Sequence, residues 1–328
     1  MSHNLAINVE WQFDLAAGRQ GLLDRIQAAD EAGAHSVWVE EAWGRDAFSL
    51  LTQVVDRTQR VRLATGIVNV FSRTPGALGQ HFATLDELSG GRVIAGLGTS
   101  GAAVIEDFHG AEFRAPLRRT DSYVRALRRA FAGQPLREDE EGNPAGIPLA
   151  FRPIRADVPI FLAALMPKSL AQVGRIADGW LPIWTPLEAM RGLVDSIVAD
   201  REEGRPLDVR SPGRITVTDQ VDAARQEVKS TVAFYIVKMG DFYAQHLRRL
   251  GYEALVEDVR SAWAEGGRAG AMDVIPDDLQ QSFWFVTSDT SEARDRLAQQ
   301  DEAGITVHQV DARGDQEAVR RIFSELAR

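Results

Sequence analysis

RLATGIVNVFSRTPGALGQHFATLDELSGGRVIAGLGTSG, residues 62–101, holds two apolar, β-rich runs on either side of a helical one. The runs are Val61–Val70 and Arg92–Leu97, and the helical stretch spans Pro75 to Leu88. A crossover of this length joins parallel strands. Their C-terminal ends then lie on one side, where parallel α/β proteins place ligands. The first run continues through Thr65-Gly66-Ile67-Val68 into Asn69, Phe71 and a Ser-Arg-Thr-Pro turn. The second ends abruptly in Gly96, Gly98, Thr99, Ser100 and Gly101.

Gly96-Leu-Gly-Thr-Ser-Gly101 also matches the G-x-G-x-x-G dinucleotide fingerprint. That fingerprint opens the first strand–helix–strand unit and is followed about 20 residues on by an acid closing a second strand. Here strand-like runs already precede it, and Asp121 falls inside a helix. A dinucleotide site is therefore the lesser reading. A glycine turn without a ligand is the plainer alternative.

Outward from this unit the same alternation continues. Leu5–Trp11 and Ser36–Glu41 read as strands before it. Pro159–Ala164, Gly179–Trp184, Arg214–Thr218 and Ile305–Val310 read as strands after it, with helical periods between. Alternation at this spacing means a parallel sheet, and eight units fit an α/β chain closed as a (β/α)₈ TIM barrel. Gly133–Asp157 is polar and reads as a short surface insertion. Asp222–Ala264 is mostly helical, interrupted near Gly240 and Gly251. Phe283–Val286 is a ninth β-like run, a strand or a connection. No linker stands out, so residues 1–328 read as a single domain.

Composition narrows the function. The formal charge of −10 argues against a nucleic-acid surface. No apolar run reaches the ~18 residues of a membrane span, and the N-terminus lacks a secretory pattern. The absence of cysteine removes disulfides, thiolate metal sites and a Cys nucleophile. Together these favour the cytoplasm. No metal site is expected, because the histidines lie in unrelated units without ligand spacing. No G-x-S-x-G signals a Ser nucleophile.

In a barrel the strand C-termini form the active-site rim. That rim carries Trp11, Phe13, Glu40, Glu41, Trp43, Asn69, Phe71, Gly98–Gly101, Leu165–Lys168, Trp184 and Thr218, with His308 as a further candidate. Such a set suits a flat aromatic ligand in an apolar slot. Leu165-Met166-Pro167-Lys168 is a strand-to-helix turn with Pro near the first helical position, where free amides bind anions. An ordinary turn is the alternative there. Glu41 closes a strand beside Trp43, and a carboxyl buried in an apolar slot has a raised pKa and donates a proton near neutrality. The alternative is a Glu41 that only hydrogen-bonds the ligand or pairs with Arg45.

The runs Thr65–Pro75, Ala83–Arg92, Gly96–Gly101 and Ile176-Ala-Asp-Gly-Trp-Leu-Pro182, with the late helix Ser291–Gly304, resemble the bacterial-luciferase-like superfamily in consistent order. They are most similar to its deazaflavin (F420)-dependent branch, which includes methylenetetrahydromethanopterin reductase. The resemblance implies a luciferase-like barrel, coenzyme F420 in the rim and hydride transfer to or from a small-molecule substrate. It places Glu41 and Trp43 beside the ring. It makes Gly66, Ile67 and Val68 a bulge behind the ring, often with a non-prolyl cis peptide. Gly98, Thr99 and Ser100 would line the slot, and Leu165, Met166, Pro167 and Lys168 would hold the phosphate. It also implies a homodimer, with Phe48–Thr58 and Pro75–Leu88 as the candidate surface.

Three positions depart from the sugar-phosphate and alcohol dehydrogenases of that branch. Their Asp-His pair reads Glu41-Ala42, their acid after the fourth strand is Gly101, and the phosphate turn reads Leu165-Met166. An FMN-dependent monooxygenase of the same superfamily is the alternative, and a non-catalytic flavin-binding barrel the third reading.

Overall fold

The computed structural model describes residues 3–10 and 15–327, with the backbone alone at 15–17. The N-terminal half runs β1 (Leu5–Val9), α1 (Leu15–Glu31), β2 (Ser36–Val39), α2 (Ala47–Val55), β3 (Arg62–Thr65), β4 (Val68–Asn69), α3 (Pro75–Leu88) and β5 (Val93–Gly98). A single π-helical turn at Val104–Phe108 leads to α4 (Pro116–Phe131), β6 (Arg137–Glu138), β7 (Pro144–Ala145), β8 (Ile160–Ala163), α5 (Pro167–Ile176), β9 (Gly179–Leu181) and α6 (Leu187–Ala199). Then follow β10 (Asp208–Val217), α7 (Val221–Lys238), α8 (Asp241–Arg249), α9 (Glu253–Asp273), α10 (Asp277–Phe283), β11 (Phe285–Thr287), α11 (Thr290–Glu302), β12 (Val307–Ala312) and α12 (Gln316–Leu326).

The sheet closes on itself. In parallel register β1 pairs β2, β2 pairs β3, β3 pairs β5, β5 pairs β8, β8 pairs β9, β9 pairs β10, β10 pairs β12, and β12 returns to β1. The chain is thus the expected (β/α)₈ barrel, and the open dinucleotide-binding sheet is excluded. Side chains alternate inward and outward along each strand. Inward, Ala6, Trp38, Ala64, Ile94, Phe161, Leu181 and Val307 form one cluster. Small residues make room for large ones there: a Cβ on Gly179 would lie 2.5 Å from the Phe161 ring, and one on Gly96 1.8 Å from the Thr65 carbonyl oxygen.

Several bounds differ from the sequence reading. The first strand ends at Val9, and Trp11 and Phe13 lie outside the described residues. The Val61–Val70 run is two strands: the Gly66–Ile67 peptide is cis, and β4 resumes beside β5 at Val68↔Leu97. The sixth run stops at Leu181, because Trp184 turns into left-handed backbone at φ 47°. The Phe283–Val286 run divides, with Phe283 closing α10 and β11 pairing the upper part of β10 at Ile215↔Phe285. The seventh strand begins at Asp208 rather than Arg214, and its register shifts between Arg210 and Arg214 to pass Pro212 and Gly213.

The expected excursion at 133–157 is the β6–β7 hairpin. A larger addition sits between β10 and β12. There α7–α10 gather Val228, Ile236, Leu247 and Val256 into an apolar cluster separate from the main core, with Trp184 and Trp284 at its edge towards the barrel. These helices supply part of the barrel's mouth.

Buried acids tie down the opposite end. Asp30 accepts the amides of Gln59, Arg60 and Val61, and Asp86 accepts the Val93 amide and two N–H bonds from Arg155. On α2, Phe48, Leu50, Leu51 and Val54 are buried within the single chain. Among the described residues no helix is long and apolar enough to cross a membrane.

Candidate active site

The C-terminal ends of β3, β4, β5 and β8 converge on one floor. The cis Gly66–Ile67 peptide turns the Ile67 side chain onto it. A Cβ on Gly98 would stand 3.0 Å from Ile67 and 3.1 Å from the Ala163 Cβ, so only glycine keeps this floor flat. Thr65 underpins it, donating its hydroxyl to the Gly96 carbonyl at 2.7 Å and accepting the Gly96 amide at 3.0 Å. Beyond Gly98, Thr99 and Ser100 are half-buried, and Ser100 holds left-handed backbone at φ 58°. Positive φ at a non-glycine residue is uncommon and clusters at functional sites.

One side of the floor is bounded by a locked turn. Asn69 Oδ1 accepts the amides of Phe71 (2.9 Å) and Ser72 (2.7 Å). Those two donors fix its oxygen, so its Nδ2 donates to His109 Nε2 at 3.1 Å. His109 is therefore neutral with its proton on Nδ1. Burial holds its pKa below the usual value; the Glu41 charge opposes that and the Arg73 charge adds to it. After the turn, Arg73 Nη1 donates to Glu41 Oε1 at 2.6 Å and Nη2 to Oε2 at 3.0 Å, with a further 2.5 Å bond to Asp46. The Ala47 amide, at the start of α2, donates to Glu41 Oε2 at 2.9 Å. Tyr123 holds the Arg73 carbonyl and Arg119 the Val70 carbonyl.

The surroundings of Glu41 differ from the apolar slot expected. Its side chain is 7% exposed, but it faces a guanidinium and a helix amide rather than an apolar slot. Its partner is Arg73, 32 residues away, which sequence spacing gave no means of finding. Trp43 is 37% exposed on the adjoining loop.

At the other side, α5 begins with Pro167 at its first turn. Ser169 Oγ accepts the Met166 amide at 3.1 Å and donates to the Met166 carbonyl at 2.8 Å. Pro167 and Lys168 are exposed, and Leu165 and Met166 half-exposed. Beneath the turn lies His246, buried and bonded to the Leu165 backbone and, at 2.9 Å, to Thr185 Oγ1. Its pKa is pushed down to about 4 by burial, so it is neutral. In sequence it was one histidine in an amphipathic helix.

The far half of the mouth is different. Glu10 and Glu40, at the ends of β1 and β2, face Arg210 and Arg214 on β10, under Trp184 and Trp284. Glu40 was read as a rim residue and Arg214 as the start of a strand, whereas Arg210 lies ahead of the strand bounds read from the sequence. At the N-terminal end of the barrel, His3 and His308 meet Asp301 at 3.3 and 3.0 Å. This grouping was not visible as a ligand spacing, and it lies away from the mouth.

The ring floor fits a planar aromatic cofactor. Ile67, Gly98 and Ala163 present apolar atoms to one another there, and exposed Lys168 at the start of α5 is within the same rim, while the Met166, Ser169 and Leu170 amides are bonded within the turn.

The sequence pattern of the family described as luciferase-like monooxygenase matches residues 6–307. A putative coenzyme F420-dependent oxidoreductase of Mycobacterium tuberculosis is 34% identical over 326 residues, covering 92% of this chain and 93% of that one. The 5,10-methylenetetrahydromethanopterin reductase of Methanolobus tindarius is 26% identical over 285 residues, covering 85% and 86%. Among solved structures, the coenzyme F420-dependent tetrahydromethanopterin reductase from Methanopyrus kandleri superposes with a TM-score of 0.81 at 21% identity, covering 99% of both chains. At that identity the structural likeness speaks for the fold. With the family pattern spanning nearly the whole barrel and a relative of 34% identity aligned along its length, the chain belongs to the luciferase-like monooxygenase family.

Proposed function

We propose that the protein is an oxidoreductase that uses coenzyme F420 to move a hydride to or from a small organic substrate. The observation that carries this reading is the floor of Ile67, Gly98 and Ala163 at the cis Gly66–Ile67 peptide. The names of the M. tuberculosis and M. tindarius relatives support the choice of F420. Gly66, Ile67 and Val68 would support the ring from below, with Gly98, Thr99 and Ser100 along its edge. Trp43 would flank it, and Leu165, Met166, Pro167 and Lys168 would hold the phosphate. Bound there, F420 takes or gives a hydride at C5 of its deazaflavin.

The chain's own residues orient the site. Arg73 and Glu41 brace the turn after β4, and Asn69 keeps His109 neutral beside that turn. Phe113 stacks on Phe71 at 5.1 Å and stands 6.2 Å from Phe242, which packs the turn after β4 against α8. The homodimer implied by the resemblance belongs to the same proposal and rests on that resemblance alone.

Titration of the purified protein with F420 and with FMN tests the reading. F420 is expected to bind in the micromolar range or tighter, and FMN at least about tenfold more weakly. FMN binding in preference to F420 would move the protein to the flavin monooxygenases. Binding of neither would remove the proposal.

A further inference from the structure

The half of the mouth around β10 contains a buried guanidinium with idle donors. Arg210 is only 5% exposed, and its Nε and Nη1 have no hydrogen-bond acceptor. Its guanidinium lies over the Trp38 ring at 5.0 Å. A Cβ on Gly66 would come within 2.9 Å of its Nη1, so it sits directly beside the bulge that ends at the floor. Burial pulls its pKa down to about 10, which leaves it charged at neutral pH. A buried guanidinium with idle N–H groups is costly unless something supplies acceptors.

The neighbouring acids do not supply them. Glu40 Oε1 accepts from Asn8 Nδ2 at 2.7 Å and from Arg214 Nη2 at 3.3 Å. Glu10 is engaged by Arg214, which also lies over the Trp284 ring at 4.5 Å. Arg268 is brought to the opening just after α9 breaks at Gly267, where it covers the Phe234 ring at 5.3 Å. Arg210, Arg214 and Arg268 against Glu10 and Glu40 leave a pocket of one net positive charge.

The walls are aromatic. Trp184 stands 5.1 Å from Tyr235 and 6.2 Å from Trp284, ring to ring. It is held there by left-handed backbone, and its buried Nε1 is a further donor without an acceptor. The cavity is about 100 Å³ and opens to the mouth.

We propose that the substrate of this site is an organic monoanion, a carboxylate on a planar apolar body, with the carboxylate seated on Arg210. Idle donors on Arg210 and Trp184 select an acceptor-rich group. The single net positive charge matches one negative charge, whereas a dianionic phosphate would also meet Glu10 and Glu40 and be repelled. The aromatic walls take the flat body. The inference rests on the proposed reductase reading for its claim that the occupant is the substrate.

The test pairs benzoate, trans-cinnamate and indole-3-acetate with their methyl esters. Binding to the full-length protein is followed by tryptophan emission, since Trp184 and Trp284 line the pocket, and by calorimetry. At least one acid is expected to bind about tenfold or more tightly than its ester. Arg210→Met should abolish that preference while F420 affinity, read from the cofactor's own fluorescence, stays within about threefold. If Arg210→Met does not fold, the exposed Arg268→Met takes its place and should weaken acid binding severalfold without affecting the ester. Equal binding of acid and ester, no acid binding below about 10 mM, or an undiminished preference in the folded variant overturns the inference. Acid binding without F420 binding would instead remove the reductase reading and leave the anion site. F420 binding without an acid preference would do the reverse.

Discussion

Glu41 accepts two hydrogen bonds from Arg73 and one from the Ala47 amide, and that geometry sets what its replacement does. A carboxylate so engaged holds the turn after β4 in place. Glu41→Gln keeps the shape but removes the charge and turns an amide N–H towards a guanidinium. Arg73 retains Asp46, so the loss is partial, roughly 1–3 kcal/mol. The expected outcome is a lower melting temperature and F420 affinity weakened severalfold. Turnover at saturating F420 should stay within about threefold, far from the 10²-fold of a lost general acid. Melting curves and saturation kinetics on the same variant check this. A 10²-fold slower turnover with an unchanged melting temperature would restore the proton-donor role.

Two glycines on neighbouring elements show how the barrel separates stability from binding. Gly179, in β9, faces inward, where a Cβ would lie 2.5 Å from the Phe161 ring at the centre of the inner cluster. Gly98 ends β5 at the ring floor, where a Cβ would press Ile67 at 3.0 Å and rise from a surface meant to be flat. Gly179→Ala should therefore cost about 1–3 kcal/mol of stability with F420 affinity little changed once folded. Gly98→Ala should melt near the wild type and bind F420 at least severalfold more weakly. Equal effects of the two on both readouts would contradict this division. At this scale much of the fold was legible. The helix between Pro75 and Leu88 and the paired runs around it follow from periodicity, and in the structure Thr74 caps that helix and Pro75 opens it. What hid was local punctuation overruled by tertiary structure. The sequence reading starts the seventh strand at Arg214, yet a register shift carries β10 through Pro212 and Gly213 from Asp208, and Arg210 lies in that earlier part. Likewise Arg73 met Glu41, and Asn69 met His109, only when strands far apart in sequence came together.

Across the whole molecule, His35, His246 and His308 join His109 in having their pKa pulled down by burial. His35 stands at the start of β2, His246 beneath the Leu165 turn, and His308 in β12, and the pKa of each is pushed down to about 4, below the usual imidazole range. Burial is the main cause at all three. The neighbouring charges Arg62 and Arg249 push the same way at His35 and His246, while at His308 the Asp301 charge opposes the shift. Between pH 6.5 and 4 the unfolded chain binds protons that the folded one refuses, so stability rises with pH across that window and is lost as pH falls through it. Asp178 behaves differently. Burial works against its charge, but bonds from Arg128 and the Ile160 amide hold its pKa below 3.8, so its contribution is lost only in stronger acid. Acid weakening therefore begins with the histidines. By pH 5 each costs on the order of 1–2 kcal/mol, enough for the melting temperature to fall by several degrees from its value at pH 7. His246 ties part of this loss to the site, because protonating it disturbs the backbone of Leu165, at the turn proposed to hold the cofactor phosphate. F420 affinity should accordingly weaken over the same window, and His246→Gln should flatten that dependence while leaving the other two histidines to lower the melting temperature. Melting curves and F420 titrations at pH 7, 6 and 5 on both proteins measure it. A melting temperature constant from pH 7 to pH 5 would mean that these histidines are hydrated or paired in the folded state rather than held neutral by burial.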